Sequence, residues 1–250
     1  MLTPERHRLI LQILKEKDTV KIHELVEVTK SSESTIRRDL TQLEEENQLK
    51  RVHGGASHLQ GKLSEPSMME KSTKNLHAKQ LIARYAASLV DAGDCIYLDA
   101  GSTTTEMIKF LNHSNLVVVT NGLMHIGALL EKGISTFIIG GQAKPGTNAV
   151  IGRGALVSLE QYRFDKCFLG VNGIHHEAGY TTPDQEEAMV KVKAAALSNR
   201  KYVLADESKF GEISFAKMID LQKAVIITNN LEQETLQQYQ NKTTIKVVNG

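Results

Sequence analysis

The run Ser34-Thr35-Ile36-Arg37-Arg38-Asp39-Leu40, followed by Leu49-Lys50-Arg51-Val52-His53-Gly54-Gly55-Ala56, constrains the fold of this chain more than any other stretch. Ile36, Leu40 and Leu43 fall at i, i+4 and i+7, so the first part reads as a helix with one apolar stripe. Ser34, Thr35, Arg37, Arg38 and Thr41 fall on its other faces. Two adjacent guanidiniums and three hydroxyls near a helix N-terminus suit phosphate oxygens and guanine edges. Ser31 or Ser32 is expected to cap this helix. Asn47, which tolerates the left-handed conformation, is expected to end it. The basic run Lys50-Arg51-Val52-His53 and its Gly-Gly turn then predict a short hairpin along a DNA backbone, the wing of a winged helix-turn-helix.

Upstream, residues 4–17 form an amphipathic helix carrying Leu9, Ile10, Ile13 and Leu14, with Thr3 as cap and Pro4 at the first helical position. A second helix is expected over 20–29, with Ile22, Leu25, Val26 and Val28. A small three-helix bundle with a solvated Arg-Arg pair shares this spacing. The wing and the hydroxyls at the helix start favour the winged helix. Residues 1–60 hold ten Lys/Arg and ten Asp/Glu, and the whole chain has a net charge of +1. Any DNA affinity therefore rests on where charges are placed, not on bulk charge. Glu44, Glu45 and Glu46 lie at the far end of the recognition helix, so Arg37, Arg38, Lys50 and Arg51 must face the duplex.

The pattern Glu5-Arg6, Glu24-Leu25, Ser34-x-Ile36-Arg37-Arg38-Asp39-Leu40, Leu43-Glu44 and Leu49-x-Arg51-x-His53-Gly54-Gly55-Ala56 resembles the DeoR-type family of bacterial sugar-operon repressors. Within it, the chain is most similar to repressors of fructose-utilisation operons. Asn47 departs from the glycine usual there, and both residues adopt the left-handed conformation.

A chain of 250 residues accommodates two domains. The expected division is a winged helix over 1–57, a linker over 58–75, partly helical from Met68, and an effector domain over 76–250. Cys95 and Cys167 stand alone in apolar surroundings without metal-ligand spacing, as buried thiols of a reducing cytosol. No apolar run reaches membrane-spanning length, and the N-terminus is not a signal peptide. A cytoplasmic protein without membrane contact is expected.

From Leu76 onward the sequence alternates helices with short apolar strands. Helices are expected over 78–90, 104–111, 123–131, 154–161, 185–198 and 232–238. Strands are expected over 95–98, 116–120, 136–139, 166–171, 202–205, 224–227 and 244–248. This predicts an α/β fold, with a mostly parallel sheet covered by helices on both faces. Ligands of such sheets lie outside the carboxyl ends of the strands. Five polar loops fall there: Asp99-Ala100-Gly101-Ser102-Thr103-Thr104, Thr120-Asn121-Gly122, Gly140-Gly141, Gly170-Val171-Asn172-Gly173 and Asp206-Glu207-Ser208-Lys209. Together they point to a small polar ligand bearing phosphate.

Other motifs carry less. Gly141-x-x-x-x-Gly146-Thr147 lacks the lysine of a nucleotide P-loop, and no dinucleotide fingerprint follows a strand. His175-His176-Glu177 has no second cluster, so no metal or cofactor is expected, although His175 can bond a sugar hydroxyl. Asp184, Glu187 and Lys191 share neighbouring faces of one helix, and Glu187 with Lys191 is also an ordinary surface pair.

The region from Leu76 resembles the effector domain of the same family, which is similar to ribose-5-phosphate isomerase. The likeness rests on Asp99-x-Gly101-Ser102-Thr103-Thr104, Val171-Asn172-Gly173 and Leu204-Ala205-Asp206-x-Ser208-Lys209. In that isomerase the loop matching Asn172-Gly173-Ile174-His175 supplies acids, the catalytic base among them. Here Asn172 and His175 stand in their place. An amide cannot act as the carboxylate base of enediol chemistry, so a site that binds without turnover is implied.

The resemblance thus implies a repressor that is not an enzyme, released from operator DNA by a sugar phosphate. Fructose 1-phosphate comes first, and fructose 1,6-bisphosphate second. The phosphate is expected at Gly101, Ser102, Thr103 and Thr104. Asp99, Asn121, Gly122, Gly141, Asn172, Gly173, His175, Asp184, Glu187, Lys191, Asp206 and Lys209 are the remaining candidates. A dimer or tetramer is expected, because helix-turn-helix proteins read paired half-sites. Two other readings stay open at this point. One is a sugar-phosphate isomerase or hydrolase with a fused DNA-binding head. The other is an architectural protein or activator without a small effector.

Overall fold

The computed structural model describes residues 1–17, 19–46, 48–52, 54–58, 61–63 and 65–249. The chain divides into two units, Met1–Gly61 and Lys62–Gly250.

The first unit runs α1 (Thr3–Lys17), β1 (Thr19–Lys21), α2 (Ile22–Thr29), α3 (Glu33–Glu45), β2 (Leu49–Val52) and β3 (Gly55–His58). Its core is the cluster of Ile10, Leu14, Val20, Ile22, Leu25, Ile36, Leu40, Leu43, Leu49 and Ala56. Each fully buried Leu or Ile contributes about 1.5–3 kcal/mol relative to exposure. The expected stripe of α3 is thus the face it buries, and Ser32 is its cap, accepting from the Thr35 N–H at 3.3 Å. Asn47, expected to end α3, lies outside the described residues.

Val20 is not helical as expected. It belongs to β1, which pairs antiparallel with β3 and gives the wing hairpin a third strand, in the order β1-β3-β2. The β-branched pair Thr19-Val20 fits that pleated edge, so α2 begins only at Ile22. This third strand also explains Gly55. A Cβ there would stand 2.1 Å from the Val20 carbonyl oxygen, closer than any side chain tolerates.

The second unit opens with α4 (Met68–Thr73), α5 (Leu76–Ala87), β4 (Cys95–Leu98), α6 (Ser102–Ile108), β5 (Val117–Thr120), α7 (His125–Glu131) and β6 (Ser135–Ile138). It continues through β7 (Gln142–Lys144), β8 (Ala149–Ile151), α8 (Arg153–Leu159), β9 (Phe164–Gly170), β10 (Gly173–His175), β11 (Gly179–Thr182) and α9 (Gln185–Ala196). It closes with β12 (Ser198–Leu204), β13 (Ala216–Lys217), β14 (Val225–Asn229), α10 (Gln233–Tyr239) and β15 (Ile245–Val248).

Seven strands form one parallel sheet in the order β15-β14-β12-β9-β4-β5-β6. Alternate residues of β4 face opposite ways. Ile96 and Leu98 pack with α5, α6 and α7, whereas Tyr97 packs with α8, α9 and α10. Helices therefore cover both faces, as expected. The chain goes from β4 outward through β5 to β6, then returns to β9 on the other side of β4. The strand order reverses between β4 and β9, and this opens a crevice at their carboxyl ends.

Helices α5 and α6 end earlier than their apolar period suggests, at Ala87 and Ile108 rather than 90 and 111. Leu89, Val90, Phe110 and Leu111 each donate to the residue three back, so both final turns tighten out of α geometry. The hairpin β7–β8 and the small antiparallel sheet β10-β11-β13 were not expected from sequence. Strands of two to four residues are too short to show a period. The stretch 58–75, expected as a linker, closes β3 at His58 and holds α4, whose start is fixed by a capping box between Ser67 and Glu70.

Candidate effector crevice and nucleic-acid interface

Asp99 follows β4 at the strand-order reversal. Its Oδ2 accepts the Gly170 N–H at 2.9 Å and pairs with the Lys191 ammonium of α9. Both residues are buried, at 1% and 4% exposure. Burial pushes the Asp99 carboxyl up, while Lys191 and the Gly170 N–H act against it. Asp99 Oδ1 and the Tyr97 hydroxyl are buried without a hydrogen-bond partner among the described residues. The ion pair ties the β4 loop, the β9 loop and α9 together at the floor of the crevice.

Around it the β4 loop is held from several sides. Asn121 Oδ1 accepts the Ala100 N–H at 2.8 Å, and Asn121 Nδ2 donates to the Val150 carbonyl at 3.4 Å. The Thr104 hydroxyl donates to the Asp99 and Gly101 carbonyls, so it is engaged with its own backbone. Ser102 and Thr103 make no side-chain hydrogen bond among the described residues, which leaves their hydroxyls for a ligand. Gly122 lies against His125, where a Cβ would stand 2.8 Å from the imidazole. That ring is buried between Thr120, at 2.8 Å, and Thr105, at 3.0 Å. Burial lowers its pKa to about 4, so it is a neutral bridge.

The remaining candidates fall into separate groups. Asp184 caps α9 through the Glu187 N–H, and Glu187 accepts from Thr147 at 2.7 Å and from Lys144 at 3.0 Å. Lys144 also pairs with Glu65 and Asp184. Burial acts against its charge, yet these carboxylates raise its pKa well above the usual lysine value. Gly141 precedes this hairpin. Asn172 follows β9 and accepts from Thr182 at 3.2 Å, and Gly173 opens β10. His175, two residues on, is not drawn to the Asp99 pair. Its Nδ1 accepts the N–H groups of Glu177 and Ala178, and its ring packs on His176. His175, His176 and Glu177 bring their ligand atoms within 4.8 Å of one another.

Asp206 and Lys209 follow β12, where the structure adds residues the sequence reading missed. Asp206 Oδ1 accepts from Asn75 at 2.9 Å, and its charge acts on Lys79 and Lys209. Burial alone would raise the Asp206 pKa; these neighbours and Ser208 hold it below the usual carboxylate range. Lys79 is 5% exposed. Burial lowers its pKa to about 8, assisted by the charges of Lys209, Lys71 and Lys74. Burial likewise lowers that of Lys209, with Lys74 and Lys71 acting in the same direction. The missed signal was Lys79 itself. It lies on the buried face of α5 with Ile82, Ala83 and Ala86, where a lysine needs an electrostatic reason.

In the first unit, Arg37 and Arg38 are exposed on α3. Arg37 is paired with Glu33 at 2.6 Å, and Arg38 has no ion pair among the described residues. Ser34 and Thr35 share hydrogen bonds with Ser32 at the helix start. Arg51 on β2 donates to the Thr41 hydroxyl at 3.0 Å, which joins wing and recognition helix, and Lys50 precedes it. His53 lies outside the described residues. Asp39, on the inner side of α3, receives Arg6 of α1 through two nitrogens, Nη2 at 3.0 Å.

A winged helix with exposed basic residues, joined in one chain to a parallel α/β unit with a crevice at its strand-order reversal, defines a DNA-binding regulator with a C-terminal sensor. Residues 6–61 match the DeoR-like helix-turn-helix domain, and residues 74–230 match the DeoR C terminal sensor domain. The chain belongs to the DeoR family: it is a transcriptional regulator and not an enzyme. It is 57% identical over 249 residues to the uncharacterized HTH-type transcriptional regulator FruR of Bacillus subtilis (strain 168), covering 99% of each chain. It is 34% identical over 234 residues to the lactose phosphotransferase system repressor of Staphylococcus aureus (strain MRSA252), covering 92% of this chain and 93% of the relative. Ribose 5-phosphate isomerase A of Methanocaldococcus jannaschii aligns over 55% of each chain, with a TM-score of 0.42 and 19% identity. No helix is long and apolar enough to cross a membrane among the described residues.

Proposed function

We propose that this protein represses a sugar-utilisation operon, most specifically one for fructose, and leaves its operator when a sugar phosphate enters the crevice beside β4 and β9. The observation that carries the reading is the buried Asp99–Lys191 pair at the strand-order reversal, beside a loop whose Ser102 and Thr103 hydroxyls have no side-chain hydrogen bond among the described residues; Lys79 and Lys209, around Asp206, are the further cationic candidates. Hydroxyl donors and lysine ammoniums suit a phosphate, and the carboxyl and amide groups of Asp99 and Asn172 suit sugar hydroxyls. The names of the two curated relatives support the sugar assignment, and FruR supports fructose. Fructose 1-phosphate is the first effector to test and fructose 1,6-bisphosphate the second. Arg37, Arg38, Ser34, Thr35 and Thr41 read the operator, while Lys50, Arg51 and His53 hold its backbone. The chain works as a dimer or tetramer on paired half-sites in the cytoplasm.

A thermal-shift screen against sugar phosphates, followed by operator-binding assays with each hit, tests this. Ligand at a hundred times its Kd adds about 2.7 kcal/mol, which at about 2–4 °C per kcal/mol raises Tm by about 5–10 °C. Fructose 1-phosphate is expected to give this shift and to release operator. Absence of both with every sugar phosphate refutes the reading.

A further inference from the structure

The two edges of the seven-stranded sheet differ. At one edge, β15 carries the exposed Lys246, and no large apolar side chain between 216 and 250 is exposed among the described residues. At the other edge, β6 has no strand beyond it among the described residues, and Phe137 and Ile138 are 46% and 42% exposed. Phe137 lies on the α8 side of the sheet, its ring 5.9 Å from that of Tyr162. Ile138, next in the strand, points to the opposite face, where α7 packs. Ile139 donates inward to the Thr120 carbonyl at 3.0 Å, so by alternation the N–H and C=O groups of Thr136 and Ile138 point outward.

Helix α7, which leads into β6, extends this surface. Its buried residues are His125 and Leu129, whereas Leu123, Met124 and Leu130 are exposed. Between them, a Cβ built at Gly127 meets nothing within 4 Å. Residues 121–143 hold two charged side chains, Glu131 and Lys132, although 24% of the whole chain is charged. Lys132 is turned to the end of α6, where it donates to the Lys109 and Leu111 carbonyls. Native sheets guard an open edge with charge, proline or a covering element. This edge instead continues into an exposed apolar helix face.

We propose that β6 and α7 form the seam between two copies of this chain. The two β6 strands pair antiparallel about a two-fold axis normal to the sheet, so that two seven-stranded sheets become one of fourteen. The inference rests on the paired-half-site reading above and assigns the surface that does the pairing. Three features select a second copy as the occupant. A bare edge is matched along its length by another strand, and an identical strand run antiparallel meets outward N–H groups with its own C=O groups. The same axis lays α7 beside its copy on one face of the joined sheet. A two-fold axis also sets residues near their own copies, so a charged seam would oppose like charges and a neutral one does not. The exposed parts of Leu123, Met124, Leu130, Phe137 and Ile138 amount to about 400–500 Å², over half of the about 800 Å² per partner that a stable interface buries.

Sedimentation velocity of the full-length protein, with operator binding in parallel, tests the seam. The wild type is expected to sediment as a dimer or a larger even assembly. Gly127→Arg places like charges across the seam at a position where a single copy has room, and Ile138→Lys supplies the missing edge charge. Each is expected to raise the dissociation constant of this contact about a hundredfold or more, while thermal unfolding stays cooperative. Each should also weaken binding to a two-half-site operator about tenfold or more, with a single half-site bound as before. A tetramer that falls to dimers in both variants supports the seam as one of its two contacts. Gln238→Arg, the same charge on the exposed side of α10 before the other edge, is expected to leave association unchanged. Assemblies that persist in both seam variants, or that Gln238→Arg dissociates as well, overturn the proposal and leave the paired-half-site reading standing. A wild type that stays monomeric on and off operator overturns both.

Discussion

Replacing Asp39 with Ala removes the acceptor that holds α3 against α1. Arg6 and Asp39 are 6% and 2% exposed, and two guanidinium nitrogens reach the carboxylate, with His7 Nε2 at 3.2 Å. Breaking a deeply buried pair from one side costs about 3–5 kcal/mol, because the remaining charge stays desolvated. In the small Met1–Gly61 unit few atoms separate this pair from solvent, and water re-entry lowers the cost to about 2–3 kcal/mol. A unit of this size is stable by only about 3–9 kcal/mol in total, so the variant is expected to populate an opened head at moderate urea.

Amide exchange of α3 in the full chain reads that loss directly. The variant Arg6→Met, Asp39→Leu is expected to recover most of it, since no charge then remains to be desolvated. Acid gives a parallel test. Although burial works to raise the Asp39 pKa, Arg6 and His7 hold it below its unfolded value. Its stabilisation is therefore present above the unfolded pKa near 4 and is lost as pH falls through the lower folded value. A change below about 1 kcal/mol in Asp39→Ala, or a head whose acid unfolding is unaltered by the double substitution, refutes the reasoning.

Arg38→Ala is expected to weaken operator binding by about 1–3 kcal/mol in fluorescence anisotropy, and Arg37→Ala by less, because Arg37 must first leave Glu33. Glu33→Gln should then tighten binding to operator and random DNA alike. Arg51→Ala is expected to weaken both and to lower the slope of log K against log salt by about one; loss of discrimination at constant slope would mean that the wing reads bases. Because the pKa of Lys79 is lowered to about 8, anion binding at its cluster favours the ammonium and takes up protons near that pH. Effector affinity measured by calorimetry should therefore fall as pH rises from 7 to 9, and Lys79→Arg should flatten the fall.

Legibility in the sequence followed the length of each signal. The stripe of Ile36, Leu40 and Leu43 and the Gly-Gly wing repeat local rules, so α3, β2 and β3 were readable, as was the alternation that builds the seven-stranded sheet. Val20 was misread because its strand exists only through pairing with β3, a contact between residues far apart in the chain. Lys191 and Asp99 were named as separate candidates, and nothing local says that they meet across 92 positions. His175 was grouped with the crevice by loop position, whereas its imidazole is bound into its own turn. Lys79 and Lys144 were passed over because an isolated lysine on a helix or hairpin looks solvated until burial is known.

The reversal of strand order between β4 and β9 also sets a timetable. The crevice draws on Asp99 from one half of the sheet and on Gly170 and Lys191 from the other, and the polar loop with Lys209 comes only after β12. The compact N-terminal unit ends at Gly61. At about 5–20 residues per second, a ribosome needs about 7–30 s to make the residues between the end of that unit and Lys209. During synthesis the head is complete before any surface that answers to a small molecule exists. Each newly made copy therefore begins with a DNA-binding unit that has folded before its control.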